Sequence, residues 1–192
     1  CNVCGLVYCN ERRNQEELKK EWSSNLYKNK FDRKTYDSSI PAVIARLTYA
    51  FEFLKNNTSL KNKKICDVGA GKGEFLDMFK NPKSNNNLYG IELSKENCSL
   101  LNKKKIKNFM GPIEDFPLKE NKNTFDVISL NWTLEAMQFA KKSVQICHQL
   151  LKKNGVILVS TGSRILVPFK KPLQHFMSDR NYTDIHPYHF SA

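Results

Sequence analysis

Five short apolar runs constrain this chain more than any other feature. Residues 65–68, 88–91, 106–110, 125–130 and 156–160 form runs of four to six residues each. They are continuous rather than alternating, and helix-like segments separate them. Strands buried on both faces have this pattern, because crossover helices cover both sides of a parallel sheet. The segment from Glu74 to Lys80 carries Phe75, Leu76, Met78 and Phe79 as a helix face. Ser94 is placed to cap a helix running to about Asn102. A third helix carries Val144, Ile146, Cys147, Leu150 and Leu151, with Asn154-Gly155 as its stop. Upstream, Pro41 suits the first turn of a helix with Val43, Ile44, Leu47, Ala50, Phe51 and Leu54 on one face, ended by Asn56-Asn57. The fold class is α/β, a doubly wound parallel sheet with a short Cys-rich and helical N-terminal extension.

The expected organisation is a Cys-rich turn over 1–10, a helical extension over 11–62, the α/β core over 63–162 and a less regular segment over 163–192. The chain has 192 residues, which suits one domain. It starts inside a Cys-x-x-Cys and stops at Phe190-Ser191-Ala192, and so reads as a piece of a longer protein. Hydrophobic residues make up 40%, enough for a packed core, and the composition excludes a collagen or a disulfide-dense miniprotein. No signal peptide and no apolar run of membrane-spanning length occurs, so cytoplasm is the expected location. The formal charge is +12. The lysines responsible are spread over many segments beside abundant Asn, a pattern that suits solvated faces better than a nucleic-acid module.

The sharpest motif is Asp67-Val68-Gly69-Ala70-Gly71-Lys72-Gly73, where the first run ends and a helix begins. Glycines there permit a tight turn and close approach of backbone to a ligand. Glu92 ends the second run 23 residues after Gly69, where a carboxylate can accept both hydroxyls of a ribose. Lys72 is followed by Gly73-Glu74, so the phosphate loop of nucleotide hydrolases, which needs Lys-Ser/Thr, is excluded. NAD fits the spacing of Glu92, but Gly-x-Gly-x-Gly departs from the dinucleotide pattern, and the Asp67 carboxylate would oppose a pyrophosphate. Asp67 suits a cationic or amino-bearing ligand.

On these residues, 63–162 resembles a class I S-adenosylmethionine-dependent methyltransferase, of Rossmann-like fold. Asp67 to Gly73 is similar to the family's first motif and Glu92 to its ribose-binding acid. Gly111-Pro112-Ile113-Glu114-Asp115-Phe116-Pro117 is similar to the segment that wraps adenine, with Pro112 where many relatives have Asp. Phe125-Asp126-Val127-Ile128 with Leu134-Glu135, and Asn154-Gly155-Val156-Ile157-Leu158, are similar to the fourth and fifth strands and their flanks. The resemblance implies S-adenosylmethionine as cofactor. Asp67, Gly69, Ala70, Gly71 and Gly73 would line its methionine part and Glu92 would take its ribose. Leu93, Ile113 and Glu114 would contact adenine, and Asn131 would stand at the pocket rim with Trp132.

Cys1-Asn2-Val3-Cys4-Gly5 has the spacing of half a tetrahedral zinc site, with Cys1 and Cys4 as ligands and Cys9 as a possible third. The alternative is a Cys-x-x-Cys without metal. With Leu6-Val7-Tyr8, Glu16-Glu17-Leu18 and Tyr27, this start resembles bacterial methyltransferases that carry an N-terminal zinc-binding module, with a further Cys pair upstream. That resemblance implies a small or sugar-linked acceptor, such as a nucleotide sugar, in surface-polysaccharide metabolism. Late in the chain, His175, His186 and His189 gather near Asp179 and Asp184. His186 and His189 are candidate general bases, as is Glu135 after the fourth strand. Arg164 and Arg180 are candidates to pair with an acceptor anion. The strands that usually complete such a sheet do not follow His189 in this sequence. Two other functions stay open, an RNA methyltransferase and an NAD-dependent sugar-nucleotide oxidoreductase or epimerase. A binding domain without activity is a third.

Overall fold

The structure is a computed structural model, and it describes residues 7–8, 14, 16–17, 20, 41–162 and 188–190. The first strand is β1 (Val7–Tyr8), followed by helix α1 (Pro41–Asn57). The core then alternates as β2 (Lys64–Val68), α2 (Glu74–Asp77), β3 (Asn87–Glu92), α3 (Lys95–Lys103) and β4 (Lys107–Met110). It continues as α4 (Leu118–Asn121), β5 (Phe125–Asn131), α5 (Ala140–Leu150), β6 (Leu151–Ser160) and β7 (Tyr188–His189). All five expected core strands form, and they pair in parallel in the order β4-β3-β2-β5-β6. The order reverses between β2 and β5. A crevice opens at the carboxyl ends of two such strands, because their following helices leave on opposite faces.

Two apolar layers sandwich the sheet. On one face Ile65, Val127 and Leu158 pack under α1, α2 and α3 through Ala50, Leu54, Leu76 and Leu101. On the other, Cys66, Val68, Ile128 and Leu130 pack under α5 through Ile146, Cys147 and Leu150. Tyr89, Phe109, Phe116 and Phe125 add an aromatic cluster on that side, with edge-to-face neighbours. Cys66, Cys98 and Cys147 are free and buried, and burial pushes the Cys147 thiol up to about 12. They are packing residues, as the apolar surroundings in the sequence imply.

Local chemistry explains most boundaries. The Ser94 side chain accepts from the Asn97 N–H at 3.3 Å and caps α3 as expected. Asn14 and Glu17 exchange two backbone-to-side-chain hydrogen bonds, a capping-box arrangement in the helical turn ahead of α1. Helix α2 is shorter than the expected 74–80. Beyond Asp77, Met78 and Phe79 donate to Phe75 and Leu76, three residues back, so the last turn tightens. Helix α5 ends at Leu150 rather than Asn154. Leu151 already pairs with Phe125, and Lys152–Gly155 bulge before Val156 pairs with Val127. The turns into β2, β3, β4 and β5 and the bulge within β6 each hold a left-handed residue: Asn62, Asn85, Lys105, Asn123 and Asn154. Asn tolerates that conformation better than most side chains, which gives its abundance a structural use.

The sequence start and end meet. Val7 pairs with His189 and Tyr8 with Tyr188 in an antiparallel two-stranded ribbon. Leu101 is the most enclosed side chain of α3, with no exposed surface, and it fills the space that Gly73 and Gly90 leave open. Leu101→Ala is expected to cost about 2–5 kcal/mol in urea denaturation. Ser94→Ala is expected to cost about 1 kcal/mol, through loss of the cap alone.

Candidate active site

The crevice at the carboxyl ends of β2 and β5 gathers most of the described residues that the sequence singles out. Asp67 is the register partner of Ser129 across β2 and β5, so both side chains leave the same face. Asn131 lies two residues further along that face. The Asp67 carboxylate accepts from the Ser129 hydroxyl at 2.7 Å and from the Asn131 amide at 3.4 Å. Asp67 is only 3% exposed. Burial raises its carboxyl to about 7, and the nearby Glu92 and Glu74 charges push the same way against the two hydrogen bonds. Asn131 Oδ1 is buried with no hydrogen-bond partner among the described residues. An acid and an orphaned acceptor side by side call for a donor, and a cationic one answers both.

The glycine turn closes over this acid. Gly69 and Ala70 donate to the Ile91 carbonyl at 2.8 and 3.2 Å, which holds the turn against the end of β3. A side chain at Gly69 would collide with Thr133, and its φ of 75° favours glycine as well. At Gly73, φ is 81° and a Cβ would meet Leu101. Gly71 donates its N–H to Glu92 Oε2 at 2.7 Å, and Ser94 donates to Glu92 Oε1 at 2.8 Å. These bonds fix the carboxylate while each oxygen keeps a further lone pair for a ligand hydroxyl. Burial pushes the Glu92 carboxyl up, opposed by the N–H donors around it.

The adenine-side residues are placed differently from expectation. Ile113 is 2% exposed and packs in the α5-side core, so it does not offer its side chain to a ligand. Glu114 Oε1 accepts from Ser143 at 2.6 Å, which ties the 113–115 turn to α5. Leu93 follows Glu92 and is half-buried. At the other rim, Trp132 has a φ of 50°, a strained value for a bulky residue, and its N–H donates to the Ser160 carbonyl at 2.7 Å. The Arg46 guanidinium of α1 stands 5.5 Å from the centre of its ring.

Glu135 lies in the turn after β5 and is 5% exposed. Its Oε2 has no hydrogen-bond partner among the described residues. Burial pushes its carboxyl up, and the neighbouring Thr161 and Gly162 oppose that. Strand β7 packs against this same turn, and Tyr188 donates its hydroxyl to the Gln138 carbonyl at 3.0 Å. Glu135 and the backbone of His189 thus belong to adjoining elements. Cys1, Cys4, Cys9, Arg164, His175, Asp179, Arg180, Asp184 and His186 lie outside the described residues, as does the His189 side chain. Among the described residues no group of His, Cys, Asp or Glu is placed to hold a metal. No described helix is long and apolar enough to cross a membrane.

Sequence reasoning missed Ser129, Thr133 and Arg46. Ser129 carries a usable signal, a hydroxyl within an otherwise apolar strand. Thr133 and Arg46 carry none, because their roles depend on tertiary approach.

Comparisons with known proteins agree with this geometry. Residues 66–159 match the family described as a methyltransferase domain. The ubiquinone biosynthesis O-methyltransferase of Nitrosococcus oceani is 30% identical over 118 residues, 59% of this chain and 49% of that protein. The chain spans about half the length of the curated relatives it matches. Among solved structures, the PH0226 protein of Pyrococcus horikoshii superposes with a TM-score of 0.60 at 17% identity, covering 76% of this chain and 71% of that one. The [4+2]-cyclase SpnF shares the fold at a TM-score of 0.53 and 15% identity, covering 66% and 47%. Sheet order and the solved structures show the Rossmann-like α/β fold typical of class I methyltransferases, and the family match over residues 66–159 falls on that same core.

Proposed function

We propose that the chain is part of an S-adenosylmethionine-dependent methyltransferase acting on a small or sugar-linked acceptor, such as a nucleotide sugar. The observation that carries the cofactor assignment is the pair of carboxylates at the crevice, each fixed differently. Glu92 is held by backbone N–H groups and keeps lone pairs for ribose hydroxyls. Asp67 stands beside the orphaned Asn131 oxygen, where an amino group would satisfy both. Bound S-adenosylmethionine supplies an electrophilic methyl group. The chain's own residues position it and take the acceptor's proton. The fold alone does not decide the reaction, because a [4+2]-cyclase shares it.

Glu135 is the base we assign. Burial makes its carboxylate more basic, and Oε2 is free of hydrogen bonds among the described residues. His186 and His189 are retained as alternatives from the sequence. The sugar-linked acceptor and a zinc ion on Cys1 and Cys4 rest on the sequence resemblance. The pairing of β1 with β7 supports a role for the N-terminal segment on the acceptor side. RNA remains a second acceptor class for the same assay.

Incubating the protein with labelled methyl donor and a panel of nucleotide sugars, quinols and RNA is expected to label a sugar-linked compound. Glu135→Gln is expected to lower kcat about 100-fold or more and leave cofactor affinity unchanged. Label in RNA alone contradicts the acceptor assignment.

The Asp67 carboxyl gives a second expectation. The native state holds this proton more tightly than the unfolded chain, whose carboxyl titrates near 3.8 against about 7 in the fold. Its stabilising contribution is full below the unfolded value and is lost as pH rises through about 7. Asp67→Asn removes that titration. Its stability relative to the parent chain is expected to rise between pH 4 and 8 in urea denaturation. A difference that does not change with pH contradicts the burial account.

A further inference from the structure

The lysine runs that look scattered in the sequence converge on one end of the molecule. In a parallel sheet every strand begins at the same end. The segments leading into β2, β3, β4 and β5 are 58–63, 78–86, 104–106 and 122–124, and β6 begins with the bulge at 152–155. None of these segments contains Asp or Glu. They and the first strand residues carry Lys61, Lys64, Lys83, Lys105, Lys107, Lys122 and Lys153, all exposed. No ion pair among the described residues reaches any of them. Asp126, beside them, already holds Lys63 and Lys152, and Asp77 holds Lys80 and Lys104. Glu120, in the short helix α4, is the remaining acid close in sequence to these turns.

Among the described residues the other end differs. The carboxyl strand ends and the turns after them carry Asp67, Glu74, Glu92, Glu114, Asp115 and Glu135 beside Lys72, Lys95, Lys141, Lys142 and Arg46. Compensation of helix ends does not account for the difference. Lys55, Lys103 and Lys119 lie in last turns, where helix carbonyls attract cations, and Lys122 and Lys105 sit at or just past helix caps, but Lys61, Lys64, Lys83, Lys107 and Lys153 lie beyond those ends.

We propose that the amino-terminal ends of the five core strands form a docking surface for the phosphate backbone of a nucleic acid, separate from the crevice. Five strands span four gaps of about 4.8 Å, so the basic row is about 19 Å long. One strand of a duplex presents five or six phosphates over that distance, at about 3.4 Å of axial rise each. An anionic membrane is the competing partner for such charge. Peripheral membrane binding normally adds apolar side chains or a lipid to the basic residues. The large exposed apolar residues, Ile44, Tyr49, Phe53, Met110, Phe139, Ile157 and Val159, all lie outside these segments. The same lack of exposed aromatics makes the contact one to phosphate rather than to bases, and therefore independent of sequence.

The test is fluorescence anisotropy with a labelled single-stranded RNA of mixed sequence, repeated from about 50 to 200 mM salt. Affinity is expected to fall steeply with salt. The triple variant Lys64→Glu, Lys105→Glu, Lys107→Glu is expected to bind at least tenfold more weakly and to lower the logarithmic salt slope by about 2, at ~0.7 per phosphate contact. A matched variant at the other end, Lys95→Glu, Lys141→Glu, Lys142→Glu, is expected to leave affinity unchanged. Should the first variant fold poorly in a thermal melt, the corresponding Gln set is expected to move affinity the same way by a smaller factor. Equal losses from both ends would mean diffuse attraction to a basic protein and would overturn the proposal. So would binding to vesicles of equal phosphatidylserine and phosphatidylcholine without binding to RNA.

Discussion

The pairing of β2 with β5 is the constraint on which the site depends. It sets Asp67 opposite Ser129 and brings Asn131 alongside, at the point where strand order reverses. Neither strand alone buries the acid. Together they take its carboxyl out of water and leave it one strong and one long hydrogen bond. That is too little to hold a full charge comfortably, which is why the carboxyl titrates near 7. The crevice is therefore under-satisfied without a ligand, at Asp67 and at the Asn131 oxygen together.

The glycine turn and Glu92 depend on the same sheet. Gly69 and Ala70 hang from the Ile91 carbonyl near the end of β3, and Gly71 in turn fixes the Glu92 carboxylate that ends it. The turn runs so close to Thr133 that a methyl group at Gly69 has no room. Beyond β5 the backbone is strained at Trp132, and the next turn buries Glu135. Strain, orphaned polar atoms and raised carboxyls fall on the few residues around one crevice, and the two apolar layers that hold the sheet carry the corresponding cost elsewhere.

Much of this was legible in the sequence, for local reasons. Continuous apolar runs gave five parallel strands, and the Ser94 cap depends on a residue three positions away. The positions of Asp67 and Glu92 at the crevice follow from strand ends, which the runs locate. What was not legible is non-local. Helix α5 stops early because Leu151 finds Phe125, a partner that no window around Leu151 contains. Ile113 turns inward and Glu114 engages Ser143 because α5 lies beneath their turn, which spacing cannot reveal. The Cys-rich start and the His-rich end read as separate features until Val7 and His189 are seen to pair. The lysines are the sharpest case. Spread over the sequence they suggest solvated faces, and only the parallel topology collects them at one end.

Isothermal titration of the protein with S-adenosylhomocysteine at pH 8, beside Glu92→Gln and Asp67→Asn and with NAD as the competing ligand, tests the central claim most directly. The account predicts saturable one-to-one binding, weakened at least tenfold in each variant, and no heat from NAD. Binding of NAD with none of S-adenosylhomocysteine, or parent-like affinity in both variants, would contradict it.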